Sequence, residues 1–511
     1  MCLITNNNFA SFAVNKLPTK LYSAAAVARL DQIAIKDYGI AGYTLMRRAG
    51  QAVLDALQHN YPDARSVLVL CGAGNNAGDG YVVARLAQAH GLNVRVVSMI
   101  DPGKLQGDAA QAWQHWQECG DTSLYRDDRI SGTDVIIDAL LGTGLTREVQ
   151  GEWKALIKTV NQSGIPVISV DIPSGLNADT GAISGVAINA NQTITFIGLK
   201  KGMFTGSGKA CSGDIGFDDL GLPKQAYEAV APDAELLCNC SQWSLPPRRH
   251  DIHKGKNGHV LIIGGNYGMP GAVILAARAA LRSGAGLVSV VSRPEHINAV
   301  VVACPECMVH GSTNGEISPD LFEKADYIAI GCGLGQDAWA QRMLYLALDS
   351  TIPMVVDADA LNLLAARDHL SLTEECVITP HPGEASRCLS VRKRDIQHDR
   401  FKMAELLRQK CNAHVVLKGS GTIIQQDGHT QVCAYGNPAM ATAGMGDVLT
   451  GMIASLAAQQ TVMAGDMNRA VIAAVCLHAL AGDLAARGDD RGLMATDVIE
   501  HIRAAARCKQ E

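Results

Sequence analysis

The sequence predicts an α/β protein of two domains, and three observations carry that prediction. Two series of short β-rich runs alternate with helical segments along the chain. The runs are nearly continuous apolar stretches, as expected of parallel strands covered on both faces. A proline-rich stretch separates the two series, and 511 residues are too many for one core.

Taken in order, Leu21 to Gln58 reads as leading helices. Strands are expected at SVLVLCG, NVRVVSMI, DVIIDAL, PVISVDIP and TITFIGL, with GYVVARLAQAH and EWKALIKTVNQ as intervening helices. From about Gly221 to Asn257 the pattern weakens, and Pro223, Pro232, Pro246 and Pro247 accompany the basic pair Arg248 and Arg249. The domain boundaries are accordingly set at 1–225 and 245–511, with 226–244 as the linker. The second series runs HVLIIGG, LVSVVSR, YIAIGCG, PMVVDADAL, CVITPHPGEA and HVVLKG. It is followed by TIIQQ, QVCAYG and terminal helices. No short-period repeat is present, which excludes a solenoid.

Composition narrows the function. Hydrophobic residues make up 48% and charged residues 18%, a soluble globular balance. A net charge of -6 leaves no basic footprint for nucleic acid. The fifteen cysteines are scattered, with close pairs only at Cys238/Cys240 and Cys304/Cys307. A zinc ribbon needs a second pair at matching distance, so the cysteines read as reduced core thiols of a cytoplasmic protein. The N-terminus lacks the charged start and apolar core of a signal peptide. The uncharged stretch Val448 to Gly465 is expected to be a buried helix rather than a membrane span.

In the first half, CGAGNNAGDG (Cys71 to Gly80) lies between a strand and a helix. Its glycines let the backbone approach a ligand, and the helix start offers free N–H groups. Asn75 and Asn76 replace the usual centre of such a loop. Their amides suit an oxygen-rich neutral ligand or a weakly held cation; the plainer reading makes Asp79 an N-cap and the asparagines turn formers. Two more strand ends carry Asp138 followed by Gly142-Thr143-Gly144, Arg147 and Glu148, and Asp171 followed by Pro173, Ser174 and Gly175. Ligands of open parallel sheets sit beyond the carboxyl ends of strands, so three such ends point to one site.

GNNAGDG, DALLGTG and DIPSG in this order resemble the NAD(P)H-hydrate epimerase family, over roughly Leu21 to Leu220. The resemblance implies a Rossmann-like αβα sandwich with a potassium ion held by Asn76, Asp138 and Ser174. It implies substrate contacts from Asn75, Asn76, Ala77, Gly78 and Asp79, and from Gly142, Thr143, Gly144, Leu145, Thr146, Arg147 and Glu148. Asp171 would bind the hydrated nicotinamide and serve as the acid/base, a task suited to a positioned carboxylate. One departure is Arg47 in LMRRAG, where an acidic residue is expected beside Arg48.

In the second half, ATAGMGDVLTG (Ala441 to Gly451) opens a long apolar helix with Gly444, Met445, Gly446 and Asp447. Successive N–H groups there form an anion hole, with Asp447 beside it as a base or, more plainly, as a helix cap. The string resembles the ribokinase-like superfamily. Lys418, Gly419, Ser420, Gly421 and Thr422 form a strand–turn–strand suited to a mononucleotide, or an ordinary hairpin. TPHPGEA places His381 and Glu384 at a strand end, and GGNYGMPGA, GCGLG and VVDADALN (with Asp357 and Asp359) add further strand ends.

Together these strings look like the ADP-dependent NAD(P)H-hydrate dehydratase family, over about Leu245 to Ala506. The resemblance implies a ribokinase-like αβα domain in which Lys418 to Thr422 and Gly446 contact the AMP part of the nucleotide. Ala272, Gly333, His381 and Asp447 would contact the hydrate, with Asp447 catalytic, ADP as co-substrate and magnesium on its phosphates. The whole chain then reads as a bifunctional, cytoplasmic, homo-oligomeric repair enzyme. It would bind small molecules, with neither nucleic acid nor membrane as partner. A ribokinase-like kinase of a vitamin precursor or sugar, and a non-catalytic scaffold for the first half, are the alternatives. TPHPGEA with an attached epimerase half argues against the first. The presence of Asp171, Asn76 and Asp138 argues against the second.

Overall fold

The computed structural model describes residues 17–126, 130–366, 372–463 and 465–507; residues 1–16, which bear on the signal-peptide reading, lie outside them. The chain divides into two compact units between Leu236 and Leu237.

The first unit contains β1 (Lys20–Tyr22), α1 (Ala24–Lys36), α2 (Gly42–Asn60), β2 (Ser66–Cys71), α3 (Asn75–Ala89), β3 (Asn93–Ser98), α4 (Gly107–Gln117) and β4 (Thr122–Leu124). It continues through β5 (Val135–Ala139), α5 (Gly151–Gln162), β6 (Val167–Val170), β7 (Gln192–Phe196), β8 (Leu199–Lys200), α6 (Gly208–Ser212) and β9 (Asp214–Asp218). Seven strands form one parallel sheet in the order β4-β3-β2-β5-β6-β7-β9. The central strands are buried along their length, which is why they read as unbroken apolar runs. The strand order reverses between β2 and β5, the crevice where open α/β sheets bind ligands.

The segment 226–244, a linker by composition, is ordered. Strand β10 (Ala234–Leu237) pairs its Ala234 and Glu235 antiparallel with Leu21 and Lys20 of β1. Ala226, Val230, Leu236, Leu237 and Trp243 are buried. These apolar residues, spaced among the prolines, supply a burial drive that proline content alone obscures.

The second unit contains β11 (His259–Ile263), α7 (Pro270–Arg282), β12 (Leu287–Ser292), α8 (Ile297–Ala303), β13 (Met308–Gly311), α9 (Pro319–Lys324), β14 (Tyr327–Ile330), α10 (Ala338–Asp349), β15 (Met354–Val356) and α11 (Ala358–Ala365). There follow β16 (Val377–Ile378), α12 (Pro382–Leu389), α13 (Lys393–His398), α14 (Arg400–Cys411), β17 (His414–Leu417), β18 (Ile423–Gln426), β19 (His429–Cys433), α15 (Met445–Met463), α16 (Met467–Ala486) and α17 (Ala495–Ala505). Its strands run β13-β12-β11-β14-β15-β16-β17-β18-β19, parallel as far as β17 and antiparallel beyond. The order reverses between β11 and β14. Helix α15 is buried from Val448 to Gln459, which accounts for the uncharged stretch. Helix α16 is the one described helix long and apolar enough to cross a membrane; it too is mostly buried, against α15 and α17.

Both units press a glycine against a carbonyl at the switch point. A side chain on Gly72 would meet Leu140 O, and one on Gly264 would meet Cys332 O. Gly72 N donates to Ala139 O at 3.1 Å, and Gly265 N to Cys332 O at 3.0 Å. This close approach requires glycine and brings adjoining strand ends together. Twelve described cysteines are free thiols, all buried except Cys119.

Candidate active sites

In the first unit a cavity of about 700 Å³ opens at the β2/β5 switch point. Its wall includes Asn75, Asn76 and Asp79 from the start of α3, the turn Gly142 to Arg147 after β5, and Asp171 after β6. Three of the expected contacts lie elsewhere. Ala77 and Gly78 are buried behind the wall, where a side chain on Gly78 would strike Met46 and Ala109, so they serve helix packing. Glu148 is exposed and accepts from Gln150 Nε2 at 3.3 Å.

Asp171 takes a left-handed backbone conformation, φ 65°, unusual for a residue other than glycine. Its N–H donates to Ile194 O at 2.7 Å, which fixes it at the strand end. Its carboxylate accepts from Phe196 N at 3.2 Å and forms a close ion pair with Lys200 Nζ. Lys200, almost wholly buried, also donates to Thr195 Oγ1 and Phe196 O, each at 3.0 Å. Sequence reasoning missed Lys200. The signal was available: a lysine ends the otherwise apolar run TITFIGLK, and a buried lysine requires a partner.

Asp31 of α1 also lines this cavity and was missed, since a helix-borne aspartate reads as surface. Burial, with the charge of Asp171 adding to it and Lys200 opposing, pushes its carboxyl up to about 6. Burial and the neighbouring Asp171 and Asp31 raise Asp79 well above the usual carboxylate range.

Next to the cavity, Asp138 is fully buried. It accepts from Ser174 Oγ at 2.6 Å, Ser174 N at 2.9 Å, Ser169 Oγ at 2.8 Å and Leu140 N at 3.3 Å. Burial outweighs these bonds and raises its pKa. Leu141 N donates to Ser174 Oγ at 2.8 Å, tying the loops after β5 and β6. Both amide atoms of Asn76 are buried without a hydrogen-bond partner. An orphaned buried carbonyl oxygen costs free energy unless something satisfies it. The departure at Arg47 is harmless to this site: Arg47 is exposed, and Arg48 donates to Leu220 O.

In the second unit, Asp447 stands in the first turn of α15, ahead of the first i→i−4 bond, Val448 N to Gly444 O at 3.1 Å. Burial and the charge of Asp357 push its carboxyl up to about 6, while the Cys332 thiol and Lys418 pull the other way. Lys418 Nζ donates to Asp357 Oδ1 at 2.6 Å and lies 3.8 Å from Glu384. Thr450 Oγ1 donates to Asp357 Oδ2 at 2.9 Å. A side chain on Gly446 would reach 3.3 Å from Asp357 and 3.5 Å from Lys418, so these three converge at the helix start. The Lys418 ammonium is therefore already paired with Asp357.

His381 caps α12. Gly383 N donates to His381 Nδ1 at 2.9 Å, and His381 N donates to Glu384 Oε2 at 2.8 Å. With Nδ1 accepting, the proton sits on Nε2, 3.2 Å from Glu384 Oε1. Ala272 meets Gly333, whose added side chain would lie 3.0 Å from it. The turn Gly419, Ser420, Gly421, Thr422 is held from behind by Arg400, which donates to Leu417 O at 3.0 Å and Lys418 O at 3.3 Å. Asp357 and Glu384 are thus site members, while no group of three or more His, Cys, Asp or Glu among the described residues is arranged for a metal ion.

Each unit thus holds a carboxylate beside glycine-rich segments at its switch point, which defines an α/β enzyme with an active site in each half. A family model described as YjeF-related protein N-terminus matches residues 42–202, and one described as NAD(P)H-hydrate dehydratase matches residues 260–504. The bifunctional NAD(P)H-hydrate repair enzyme of Coxiella burnetii is 43% identical, covering 95% of this chain and 99% of its own length. That of Escherichia coli is 41% identical, covering 95% of this chain and 94% of its own. Among solved structures, the ADP/ATP-dependent NAD(P)H-hydrate dehydratase from Bacillus subtilis is 30% identical, covering 52% of this chain and 94% of its own, with a TM-score of 0.46. The chain belongs to the bifunctional NAD(P)H-hydrate repair enzymes, which sets aside the vitamin-kinase and scaffold alternatives.

Proposed function

We propose that the first unit interconverts the R and S forms of hydrated NADH and NADPH. The second unit then dehydrates the S form, converting ADP to AMP and phosphate. The observation that carries this reading is the pair of environments: Asp171 bonded to Lys200 beside an open cavity, and Asp447 at a helix N-terminus with a pKa of about 6.

In the first unit, inverting C6 of the hydrated ring needs proton transfers at a polar, neutral centre. Asp171, held and oriented by Lys200, is the acid/base. Asn75, Asn76, Asp79 and the Gly142 to Arg147 turn hold the dinucleotide. A monovalent cation fits between Asn76, Asp138 and Ser174, because an oxygen-rich donor set suits potassium and the Asn76 carbonyl lacks a partner. Bound there, potassium would supply a fixed positive charge near the loop.

In the second unit, hydroxide is a poor leaving group at C6 and phosphate a good one. Asp447 takes the proton from the C6 hydroxyl as its oxygen accepts the terminal phosphoryl group of ADP, releasing AMP. The ring nitrogen lone pair then expels phosphate, and loss of a proton from C5 restores the dihydronicotinamide. First-turn N–H groups of α15, Gly446 among them, receive the transferring phosphate. The turn Lys418 to Thr422 takes the AMP moiety, Lys418 through its backbone because its ammonium is held by Asp357. Ala272, Gly333 and His381 contact the hydrate. Magnesium, when bound with the nucleotide, would offset the charge of its phosphates. The protein acts on small molecules in the cytoplasm as a homo-oligomer.

The test is direct. Mixed hydrate epimers incubated with ADP should regain the absorbance of dihydronicotinamide, with AMP and phosphate formed in equal amounts. A protein that instead phosphorylates a stable alcohol and leaves the hydrate untouched contradicts the reading.

A further inference from the structure

Away from both active sites, the turn from α8 into β13 carries Cys304-Pro305-Glu306-Cys307. The two sulfurs lie 3.0 Å apart, and Cys307 N donates to Cys304 O at 3.1 Å to close the turn. Both cysteines are buried, whereas Pro305 and Glu306 between them are exposed, so the pair sits directly beneath the surface. A disulfide needs sulfurs about 2.0 Å apart, so closing this one asks for roughly 1 Å of movement within a single turn.

The pair is also chemically asymmetric. The two thiols share a hydrogen bond in which either sulfur can donate, and Cys304 Sγ also lies 3.9 Å from Glu306 Oε2. The bond with Cys307 lowers the Cys304 pKa, with Arg278 assisting and burial and Glu306 opposing. Cys307 is correspondingly held as the thiol. One cysteine prepared to attack and a second within reach to resolve is the arrangement thiol–disulfide exchange requires. Neither cysteine contributes to the chemistry derived above, and no group of three or more His, Cys, Asp or Glu among the described residues could hold a metal ion.

We propose that Cys304 and Cys307 form a redox-active dithiol that exchanges with small-molecule disulfides. The Cys304 thiolate attacks one sulfur of the disulfide and releases one small thiolate, leaving a mixed disulfide on Cys304. Cys307 passes its proton to that leaving thiolate and attacks the Cys304 sulfur, expelling the second small thiolate, which takes a proton from solvent. Two protein thiols are oxidised to one protein disulfide, and the small disulfide is reduced to two thiols.

The experiment uses the full-length protein and oxidised glutathione. After incubation to constant composition and alkylation of remaining thiols, the tryptic peptide Ser283–Lys324 is weighed; it contains no other cysteine. The wild type should yield this peptide lighter by two hydrogens, without alkylation or glutathione adducts, and the fraction should fall as reduced glutathione is added. Cys307→Ser, which removes the resolving thiol, should leave a glutathione adduct on Cys304. A wild-type peptide alkylated at both cysteines at every ratio of oxidised to reduced glutathione overturns the proposal. So does a peptide carrying two separate adducts. Loss of the adduct on Cys304 in Cys307→Ser overturns the assigned order of attack.

Discussion

Asp171 and Asp447 both stand beside glycine-rich segments of parallel sheets, yet one is bonded to a buried lysine and the other is crowded by a second carboxylate. Lys200 gives Asp171 an ion pair inside a lined cavity. Asp447 has Asp357 as its neighbour, and the cation that answers Asp357 is Lys418. Placement at a switch point thus makes a carboxylate available, and the groups packed around it set its electrostatic surroundings. One architecture, used twice, supports two different proton-transfer tasks.

Exchanging the two carboxylates should break the comparison most severely. Asp447→Ala should lower ADP-dependent dehydration by at least ~10²–10⁴, the range for a lost general base, and leave epimerisation intact. Asp171→Asn should lower epimerisation by ~10²–10⁴ and leave dehydration of the S form intact. Rates for each epimer, followed by chromatography, decide both; a variant that damages both activities alike would merge the two sites into one.

Lys200→Met sharpens the electrostatic half of the argument. Without the ammonium, Asp171 loses the ion pair that orients its carboxylate in the cavity, so epimerisation should fall. The loss at neutral pH is expected to be about 10–10². An unchanged rate of epimerisation would make Lys200 a packing residue.

The pH dependence of dehydration is a smaller effect. In the proposed dehydration Asp447 works as the carboxylate, and its pKa is raised to about 6. The rate should be flat above that value and fall about tenfold per unit below it, as the base is protonated. Asn76→Ala should have the mildest effect, erasing the advantage of potassium over sodium in epimerisation. Wild-type epimerisation indifferent to the cation would leave Asn76 as loop scaffolding.

Much of this was legible in the sequence because parallel strands are apolar throughout and their glycine-rich ends carry the chemistry. Asp138, Asp171, Ser174, His381, Lys418 and Asp447 all fall within recognisable strand-end or helix-start strings. Asp31 was hidden because it comes from a helix whose spacing says nothing about a cavity contact. Lys200 was hidden because its partner is twenty-nine residues away. Ala77 and Gly78 share a string with true lining residues, and only the packing of α3 against Met46 and Ala109 separates them. The pairing of Lys418 with Asp357, sixty-one residues apart, is a tertiary fact that no local string encodes.

The central claim is that the two units carry separate activities, epimerisation in the first and dehydration of the S form in the second. It is tested by mixing Asp171→Asn protein with Asp447→Ala protein and supplying both hydrate epimers with ADP. Alone, the first should repair the S form and stall on the R form, and the second should repair neither. Together they should restore the whole pool, well above the spontaneous rate of epimerisation. A mixture that stalls where Asp171→Asn alone stalls would contradict the account.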